Sequence, residues 1–533
     1  MTGTDGTSMD QFKIILYLCN WGSHAAYQEL QDRGADIPAE IKMVRVPCAG
    51  RINKSLLFKP FEMGADGVLL VGCSPGSCRY GTGTENSRQN TDDTRKILGL
   101  LGIQENRLQR ETFLPDEPER LLDYLKKFSH DIKAMGKSPV SKKQVSTDDA
   151  TPTVPEILNR YDVYACQDCG KCTSACPLAL AGKAFSPRAI ANSVITGDLD
   201  SQSFRENVWS CLTCGVCYER CPSAVNFPEF IRDLRQVLTA EEQGGHEVHG
   251  GFFQSLMRTM TAENLNLNRW ESVQSEIKTD PKSNVLFFGG CNPYFDTFFN
   301  RHLGVKTSNI TLDSLRLLNF FDVIPAVLPN ERCCGHDLLW TGDVTNFKRL
   351  AKLNAEMMQG LEITEIITAC PECYRTLAHD YKQHGFELPF QVTHIYDFLE
   401  REIGKGAVKF KPFSTPVTFQ DSCRMSRFEG RPDLPRTLLN RMQPENFTEM
   451  QDSGKSAICC GNSGWIGCDA YSKALQVKRL KQARAAGSEM LLTACPKCQV
   501  HLKCAMEDPF KADALDFEIR DLVSLVAEKI CWE

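Results

Sequence analysis

The chain has 533 residues, 25 of them cysteine, and a formal net charge of −6 at pH 7. Its length predicts three or four domains at about 150 residues each. The acidic balance, without clustered Lys and Arg, argues against nucleic-acid binding, and no apolar run reaches the roughly 18 residues that a membrane span needs. The polar N-terminus has no secretory signal. We therefore expect a cytoplasmic protein whose thiols bind metal rather than form disulfides.

The segment 12–132 alternates between predicted strands and predicted helices. The strands are Lys13–Leu18, Ile41–Val46 and Gly67–Val71. The helices are His24–Arg33, Lys54–Met63 and Asp92–Leu101. This alternation predicts a small α/β domain with a parallel sheet. We bound that domain at residues 1–135 and expect it to fold as an independent module. The stretch 136–156, rich in Lys, Ser, Thr, Asp and Pro, is typical of a linker.

Four cysteines of this first domain are candidate metal ligands: Cys19, Cys48, Cys73 and Cys78. The first three stand at the carboxyl ends of predicted parallel strands, the edge at which open α/β sheets bind ligands. Cys78 adds a thiol on the tight loop that begins at Gly72. Four converging thiolates fit one 2Fe-2S cluster. The alternative is a set of buried structural cysteines.

Residues 157–243 contain two runs of the form Cys-x-x-Cys-x-x-Cys-x-x-x-Cys-Pro in a segment predicted to be helical. The runs are Cys166, Cys169, Cys172, Cys176 and Cys211, Cys214, Cys217, Cys221. In two-cluster ferredoxins the fourth cysteine of such a run typically ligates the other cluster. On that rule Cys221 completes the first 4Fe-4S set and Cys176 the second. Structural zinc is the alternative, but zinc sites are usually closed by two Cys-x-x-Cys pairs or by histidines.

A helical face follows the second run, and then a duplication fills the rest of the chain. The apolar face is made by Phe230, Ile231, Leu234, Val237 and Leu238. Gly244–Gly251 is a predicted hinge. Beyond it, the halves 283–405 and 415–533 each contain a predicted strand, one cysteine, Cys-Cys-Gly and Cys-Pro-x-Cys.

The duplicated cysteines are Cys291, Cys333, Cys334, Cys370 and Cys373 in the first half and Cys423, Cys459, Cys460, Cys495 and Cys498 in the second. Adjacent cysteines suit a cluster because successive side chains point apart and can reach two irons. We expect two similar α/β lobes that face one another, each with a cysteine set that suits an iron–sulfur cluster. Zinc, or a cubane cluster in one lobe, is the alternative. Cys468, Cys504 and Cys531 remain as ordinary thiols.

Three resemblances follow from these motifs. Residues 1–135 resemble the delta subunit of methyl-viologen-reducing hydrogenase in Cys19-Asn20-Trp21, in Arg45–Arg51 and in Gly64–Leu69. That family often has Cys-Asn-Trp-Cys, where this chain has Gly22. The paired runs resemble the α-helical ferredoxin type of fumarate reductase and heterodisulfide reductase C subunits.

The duplicated motif resembles the cysteine-rich CCG domain of heterodisulfide reductase B subunits. In those subunits each complete motif supplies five thiolates to a non-cubane 4Fe-4S cluster, and the two clusters flank the place where the coenzyme M–coenzyme B disulfide is cleaved. The first gap here, from Cys291 to Cys333, is slightly long. The resemblance therefore implies a multidomain fold with an α/β N-terminal domain, an α-helical ferredoxin middle domain and a duplicated α/β cysteine-rich C-terminal domain.

The resemblance also implies cofactors and partners. It implies one 2Fe-2S, two ferredoxin-type 4Fe-4S and two non-cubane 4Fe-4S clusters, and a role in anaerobic metabolism. It implies a flavin-containing heterodisulfide reductase A-like subunit as partner, with a hydrogenase or formate dehydrogenase as a further candidate, since the sequence offers no flavin or nicotinamide site.

Two hypotheses for the function remain open. The chain is either a reductase subunit that cleaves a disulfide, with no catalytic residue beyond the cluster ligands, or a pure electron conduit. CCG domains also occur in glycolate, lactate and glycerol-phosphate oxidoreductases, where they transfer electrons.

Overall fold

The structure is a computed structural model that describes residues 11–140, 151–270, 277–406, 408–508 and 515–532. The chain divides into two compact units. The first unit comprises 1–146 and 249–269, and the second comprises 147–248 and 270–533. The predicted multidomain organisation with α/β and helical parts is confirmed. No helix among the described residues is long and apolar enough to cross a membrane.

The first unit contains a four-stranded parallel sheet in the order β2-β1-β3-β4. Its strands are β1 Ile14–Cys19, β2 Ile41–Val46, β3 Gly67–Gly72 and β4 Leu108–Thr112. Its α-helices are Ser23–Asp32, Lys54–Glu62, Gly83–Leu100, Pro118–Met135 and Phe252–Thr259, with single 3₁₀ turns at Ala49–Arg51 and Glu105–Arg107. Every residue of β3 is buried, as expected for a central strand covered by helices on both faces.

The third helix is longer than its sequence predicts. The prediction covered Asp92–Leu101, whereas the helix runs from Gly83 to Leu100. The buried positions in its first half are Gly83, Ser87 and Thr91. Because these side chains are small or polar, apolar periodicity does not reveal this part of the helix.

The segment 249–269 belongs to the first unit although it lies far along the chain. Its helix Phe252–Thr259 packs on the helix Lys54–Glu62, and the rings of Phe252 and Phe58 lie 5.3 Å apart. Arg258 Nε donates to Glu62 Oε1 over 2.9 Å, and the Ser255 hydroxyl donates to the same carboxylate. The predicted domain 1–135 is therefore completed by a helix that follows the ferredoxin-type segment.

The first part of the second unit, up to about residue 243, is built from short helices and turns. Its α-helices are Val154–Arg160, Lys171–Ala175, Pro177–Leu180, Pro187–Thr196, Gln202–Ser210, Val216–Glu219 and Phe227–Ala240, with a 3₁₀ turn at Val163–Ala165. Phe230, Ile231, Leu234 and Leu238 are buried and Val237 is partly buried, so the predicted apolar face of the last helix is confirmed.

The duplicated part of the second unit forms two lobes, each with a three-stranded parallel sheet. The first sheet, in the order β5-β6-β7, consists of β5 Val285–Phe288, β6 Glu365–Thr368 and β7 Gln391–His394. The second, in the order β10-β9-β8, consists of β8 Val417–Gln420, β9 Met490–Thr493 and β10 Glu518–Asp521. In both lobes the Cys-Pro-x-Cys segment begins two residues after the middle strand, at the carboxyl edge of the sheet.

Helices surround both sheets. In the first lobe they are Asn292–Leu303, Ser308–Phe320, His336–Trp340, Val344–Gln359, Pro371–Arg375, the π-helical Thr376–Asp380, Tyr381–Gln383 and Ile395–Ile403. In the second lobe they are the π-helical Arg424–Phe428, Leu434–Met442, the 3₁₀ turn Gly454–Ser456, Ala470–Ala485, Pro496–Met506 and Leu522–Lys529. One hydrophobic core runs through both lobes, so that Leu399 of the first and Phe419 of the second belong to the same buried cluster. This shared core fixes the lobes against each other.

Candidate metal centres

The four N-terminal cysteines converge at the carboxyl edge of the first sheet. Cys19 Sγ lies 3.5 Å from Cys73 Sγ. A Cβ placed on Gly83 would lie 2.7 Å from the sulfurs of both Cys48 and Cys78, so these two thiols meet at the start of the Gly83 helix. Cys19, Cys48 and Cys73 are buried and Cys78 is partly exposed. The structure thus brings together the whole predicted set.

The electrostatics of this set and the position of Gly22 fit metal ligation. Burial raises the pKa of Cys78, but the backbone N–H groups of Tyr80 and Gly83 outweigh it and lower that pKa overall. Burial and the neighbouring Cys19 raise the pKa of Cys73 to about 12, and a cation would reverse such a shift. A Cβ on Gly22 would lie 3.5 Å from Cys73 Sγ. The position that the hydrogenase delta family often fills with a cysteine therefore faces the same site.

The second ferredoxin-type set also comes together. Burial raises the pKa of Cys217 well above its usual value, and the neighbouring Cys211, Cys214 and Cys176 raise it further. Cys176, from the first run, thus lies with the three cysteines of the second run, as the two-cluster rule predicts.

The first ferredoxin-type set is more exposed. Burial raises the pKa of Cys172, and the nearby Cys166 adds to the rise. Cys166 and Cys221 pack against the hydrophobic core of this part of the chain, whereas Cys169 is exposed. An exposed ligand set suits electron exchange with another protein.

Each lobe gathers its own five cysteines. In the first lobe, Cys291 Sγ lies 3.2 Å from Cys333 Sγ, and Cys373 Sγ lies 3.5 Å from Cys334 Sγ. Cys373 also lies close enough to Cys370 to lower the pKa of the Cys370 thiol. In the second lobe Cys423 and Cys460 raise the pKa of Cys459, and Cys460 and Cys495 raise the pKa of Cys498, so the five thiols lie together. The slightly long gap after Cys291 does not keep that thiol away from its set.

The second ferredoxin-type loop lies directly on the second lobe. The thiols of Cys214 and Cys459 lie close enough to shift each other's pKa, lowering that of Cys214 and raising that of Cys459. Arg427 Nε donates to Cys214 O over 2.6 Å, and a guanidinium N–H of Arg424 donates to Thr213 O over 2.8 Å. Thr213 has a φ of 45°, a left-handed conformation that is unfavourable for a β-branched residue. These bonds hold the loop in that conformation against the lobe.

A third arginine binds the same loop from the other side. Arg235 is fully buried and donates to Cys211 O over 2.6 Å, to Trp340 O over 2.9 Å and to Val208 O over 3.0 Å. Three arginines that the sequence analysis did not single out thus fix the second ferredoxin-type loop. Each pairs with residues distant in sequence, so no local signal identifies them.

The two lobes meet at their Cys-Pro-x-Cys segments. The Cys370 and Cys495 thiols lie near each other across the boundary, since each shifts the pKa of the other. Beside them lie the buried His336, Asp337 and Lys497 and the partly buried Glu372, none of which the sequence analysis selected. Burial lowers the pKa of His336 to about 3. Its Nε2 accepts from Arg424 Nε at 3.0 Å, so we assign the ring as neutral with its proton on Nδ1.

The donor sets fit iron–sulfur clusters. None of the 25 cysteines, all of which lie in the described ranges, forms a disulfide. Thiolate is the ligand that such clusters take, and four sulfurs are available to each of the first three sets. A tetrahedral zinc ion needs four donors, whereas each lobe offers five.

Three family descriptions match along the chain. Residues 14–136 match the methyl-viologen-reducing hydrogenase delta subunit, residues 158–222 match the 4Fe-4S dicluster domain, and residues 285–378 and 417–503 match the cysteine-rich domain. Among curated relatives, the D subunit of the dihydromethanophenazine:CoB–CoM heterodisulfide reductase of Methanosarcina acetivorans is 28% identical over 427 residues, which cover 73% of this chain and 99% of that protein.

The chain is a heterodisulfide reductase-like iron–sulfur protein. A second relative of this heterodisulfide reductase-like chain is the B subunit of the fumarate reductase (CoM/CoB) of Methanothermobacter marburgensis, 28% identical over 368 residues and covering 68% of this chain and 61% of that protein. A third is the EtfAB:quinone oxidoreductase of Syntrophomonas wolfei, which is 29% identical over 224 residues. The match covers 40% of this chain and 30% of that protein. The predicted class, an iron–sulfur electron-transfer subunit of an oxidoreductase, is confirmed.

Proposed function

We propose that this chain is the subunit of a heterodisulfide reductase-like complex at which electrons from a partner reduce a disulfide. Iron–sulfur clusters, when bound, accept and release single electrons. The observation that carries the proposal is the contact between Cys214 and Cys459, because it joins the ferredoxin-type part to the CCG part inside one compact unit.

We propose five ligand sets. The 2Fe-2S set is Cys19, Cys48, Cys73 and Cys78. The two ferredoxin-type 4Fe-4S sets are Cys166, Cys169, Cys172, Cys221 and Cys211, Cys214, Cys217, Cys176. The two non-cubane sets are Cys291, Cys333, Cys334, Cys370, Cys373 and Cys423, Cys459, Cys460, Cys495, Cys498. Convergence of the thiols supports the N-terminal set, the second ferredoxin-type set and both lobe sets. The first ferredoxin-type set rests on its motif.

The chain's own residues would keep this arrangement dry and rigid. Arg235, Arg424 and Arg427 fix the loop of the second ferredoxin-type set, and Trp340 and Phe428 cover Arg424 with ring centroids 3.9 and 4.5 Å from its guanidinium carbon. Arg235, Arg424, Cys211 and Cys214 are all buried. Such burial would limit how far the surrounding polar groups must reorient when a bound cluster gains or loses an electron.

A disulfide is the substrate class that we favour. Its reduction takes two electrons and two protons, breaks one S–S bond and yields two thiols. The names of two relatives include the CoB–CoM pair, which supports a thiol/disulfide couple here. The meeting of the lobes at Cys370 and Cys495 supports it further, since two ligand sets adjoin one place.

The partners that we propose are a flavin-containing heterodisulfide reductase A-like subunit and a hydrogenase or formate dehydrogenase. The match of residues 14–136 to a hydrogenase delta subunit supports this kind of assembly. A cytoplasmic location stays a prediction, based on the reduced thiols that such ligand sets require.

The deciding experiment is anaerobic turnover with a low-potential donor and a panel of disulfides, the coenzyme M–coenzyme B heterodisulfide included. The loaded chain should hold about 18 irons, the sum of the five clusters. Cys334→Ser or Cys460→Ser should stop turnover while the ferredoxin-type centres remain reducible. Stoichiometric zinc with little iron would end this proposal.

A pure electron conduit is the second candidate, and the similarity to the EtfAB:quinone oxidoreductase favours it. It would be the better description if no disulfide is turned over while electrons still reach a protein partner at the wild-type rate.

A further inference from the structure

The two halves of the duplication differ in charge at equivalent positions. The residue between the cysteines of Cys-Pro-x-Cys is Glu372 in the first lobe and Lys497 in the second. The third residue after Cys-Cys is Asp337 in the first lobe and Ser463 in the second. The first lobe thus places two acids, and the second one base, at the boundary where the lobes meet.

These groups bond to each other across the boundary. Lys497 Nζ lies 2.6 Å from Glu372 Oε2 and 2.5 Å from Asp337 Oδ1. The three side chains are only 5%, 14% and 10% exposed. A charge buried to this degree is costly unless it is paired with good geometry. The carboxylates of Asp337 and Glu372 also lie near His336 Nδ1. Because the Lys497 ammonium is already paired with both carboxylates, we interpret the group as an ion pair rather than as a metal-ion site.

We propose that Lys497, Glu372 and Asp337 form a cross-lobe ion pair that sets the separation of Cys370 and Cys495, and with it the electronic coupling between the two CCG ligand sets. Glu372 stands two residues after Cys370, and Lys497 two residues after Cys495, each in the first turn of a helix. The ion pair therefore joins the first turns of the two helices that begin directly after Cys370 and Cys495.

A second bond crosses the same boundary and supports this proposal. Arg424 Nε of the second lobe donates to His336 Nε2 of the first lobe. The Nδ1 atom of the same imidazole lies 3.2 Å from Asp337 Oδ1. Both cations, Arg424 and Lys497, come from the second lobe and both acids from the first. Lys497 thus neutralises acids of the other lobe, and the Arg424–His336 hydrogen bond adds a second link across the same boundary.

The test is a set of loaded variants measured without any disulfide substrate. Glu372→Gln and Lys497→Met should each weaken the spin–spin interaction between the two CCG centres in electron paramagnetic resonance. The swapped variant Glu372→Lys with Lys497→Glu, made together with Asp337→Asn so that the new carboxylate does not face Asp337, should restore the interaction to the level of Asp337→Asn alone. Asp337→Asn, which lies outside the Cys-Pro-x-Cys segments, should weaken the interaction less, because Glu372 remains.

The matched control is Lys54→Met. Lys54 forms an equally buried ion pair with Asp93 in the first unit, with Nζ 3.1 Å from Oδ2 and exposures of 6% and 4%. It should leave the interaction between the CCG centres unchanged. An interaction unchanged in both single variants, or changed equally by Lys54→Met, would overturn the proposal.

Loss of iron in a single variant is equally informative. Recovery of iron and of the spin–spin interaction in the swapped variant supports the ion pair, and failure to recover them refutes it. The ferredoxin-type signals serve as an internal standard in every sample. Because no substrate is present, a negative turnover result for the proposed function does not affect the outcome.

Discussion

The substitution Phe252→Ala tests most sharply whether segment 249–269 packs as part of the first unit. The Phe252 side chain is 0% exposed, and its ring packs on Phe58 at 5.3 Å and on Phe253 at the same distance. Truncating a buried phenylalanine costs about 3–5 kcal/mol. Whole domains have only about 5–15 kcal/mol of stability, so the variant should lose a large part of the stability of the first unit.

The loss should appear as a lower unfolding midpoint of the first unit. For a domain of this size, 1 kcal/mol shifts the midpoint by about 2–4 °C, which predicts a fall of roughly 10 °C. Limited proteolysis at increasing temperature, with cleavage within residues 1–135 as the readout, would measure this midpoint. Leu114→Ala is the control, because Leu114 is 42% exposed and its truncation should change little.

A fragment experiment complements the point variant. A fragment ending near residue 140 should be less stable than the same fragment joined through a flexible linker to residues 249–269. Equal stability of the two fragments, or a Phe252→Ala variant that melts with the wild type, would refute the packing argument.

Three further outcomes are expected. Cys78→Ser should abolish the 2Fe-2S signal of the first unit and leave the ferredoxin-type signals, as electron paramagnetic resonance can check. Arg235→Met should leave three buried carbonyls without their donor and destabilise the second unit by about 3 kcal/mol or more, measured by denaturant unfolding. Asp521→Asn should flatten the pH dependence of stability between about pH 4 and 7. Burial raises the pKa of Asp521 to about 7, so its contribution is full below the unfolded pKa near 3.9 and is lost as the pH rises through 7.

The sequence predicted those features that a short stretch of chain determines. β1, β2 and β3 lie within a residue of their predicted positions, because apolar runs bounded by turn residues identify buried strands. The convergence of Cys19, Cys48 and Cys73 followed from their place after three parallel strands. Motif spacing likewise grouped Cys176 with the second run before any contact was known.

Features that depend on distant partners were not predictable in this way. The sequence analysis named neither β4 nor the helix Pro118–Met135, and it did not assign residues 252–282 to the first domain. The sequence around Phe252 and Phe253 does not indicate whether the first or the second unit buries their rings. Arg424 and Arg427 follow Cys423 without a motif of their own, and their acceptors lie more than 200 residues earlier in the chain.

The charges at the lobe boundary are an intermediate case, and they bear on how the duplicated lobes have diverged. Cys-Pro-Glu-Cys and Cys-Pro-Lys-Cys stand in the sequence at equivalent places, so their opposite charges were visible from the start. Only the structure pairs them, with Lys497 Nζ 2.6 Å from Glu372 Oε2 where the two lobes meet. Identical residues there would place like charges together in a buried site, which is strongly unfavourable. The two lobes therefore keep the same cysteine pattern but carry opposite charges at this position, and the Glu372–Lys497 ion pair compensates the charge of each.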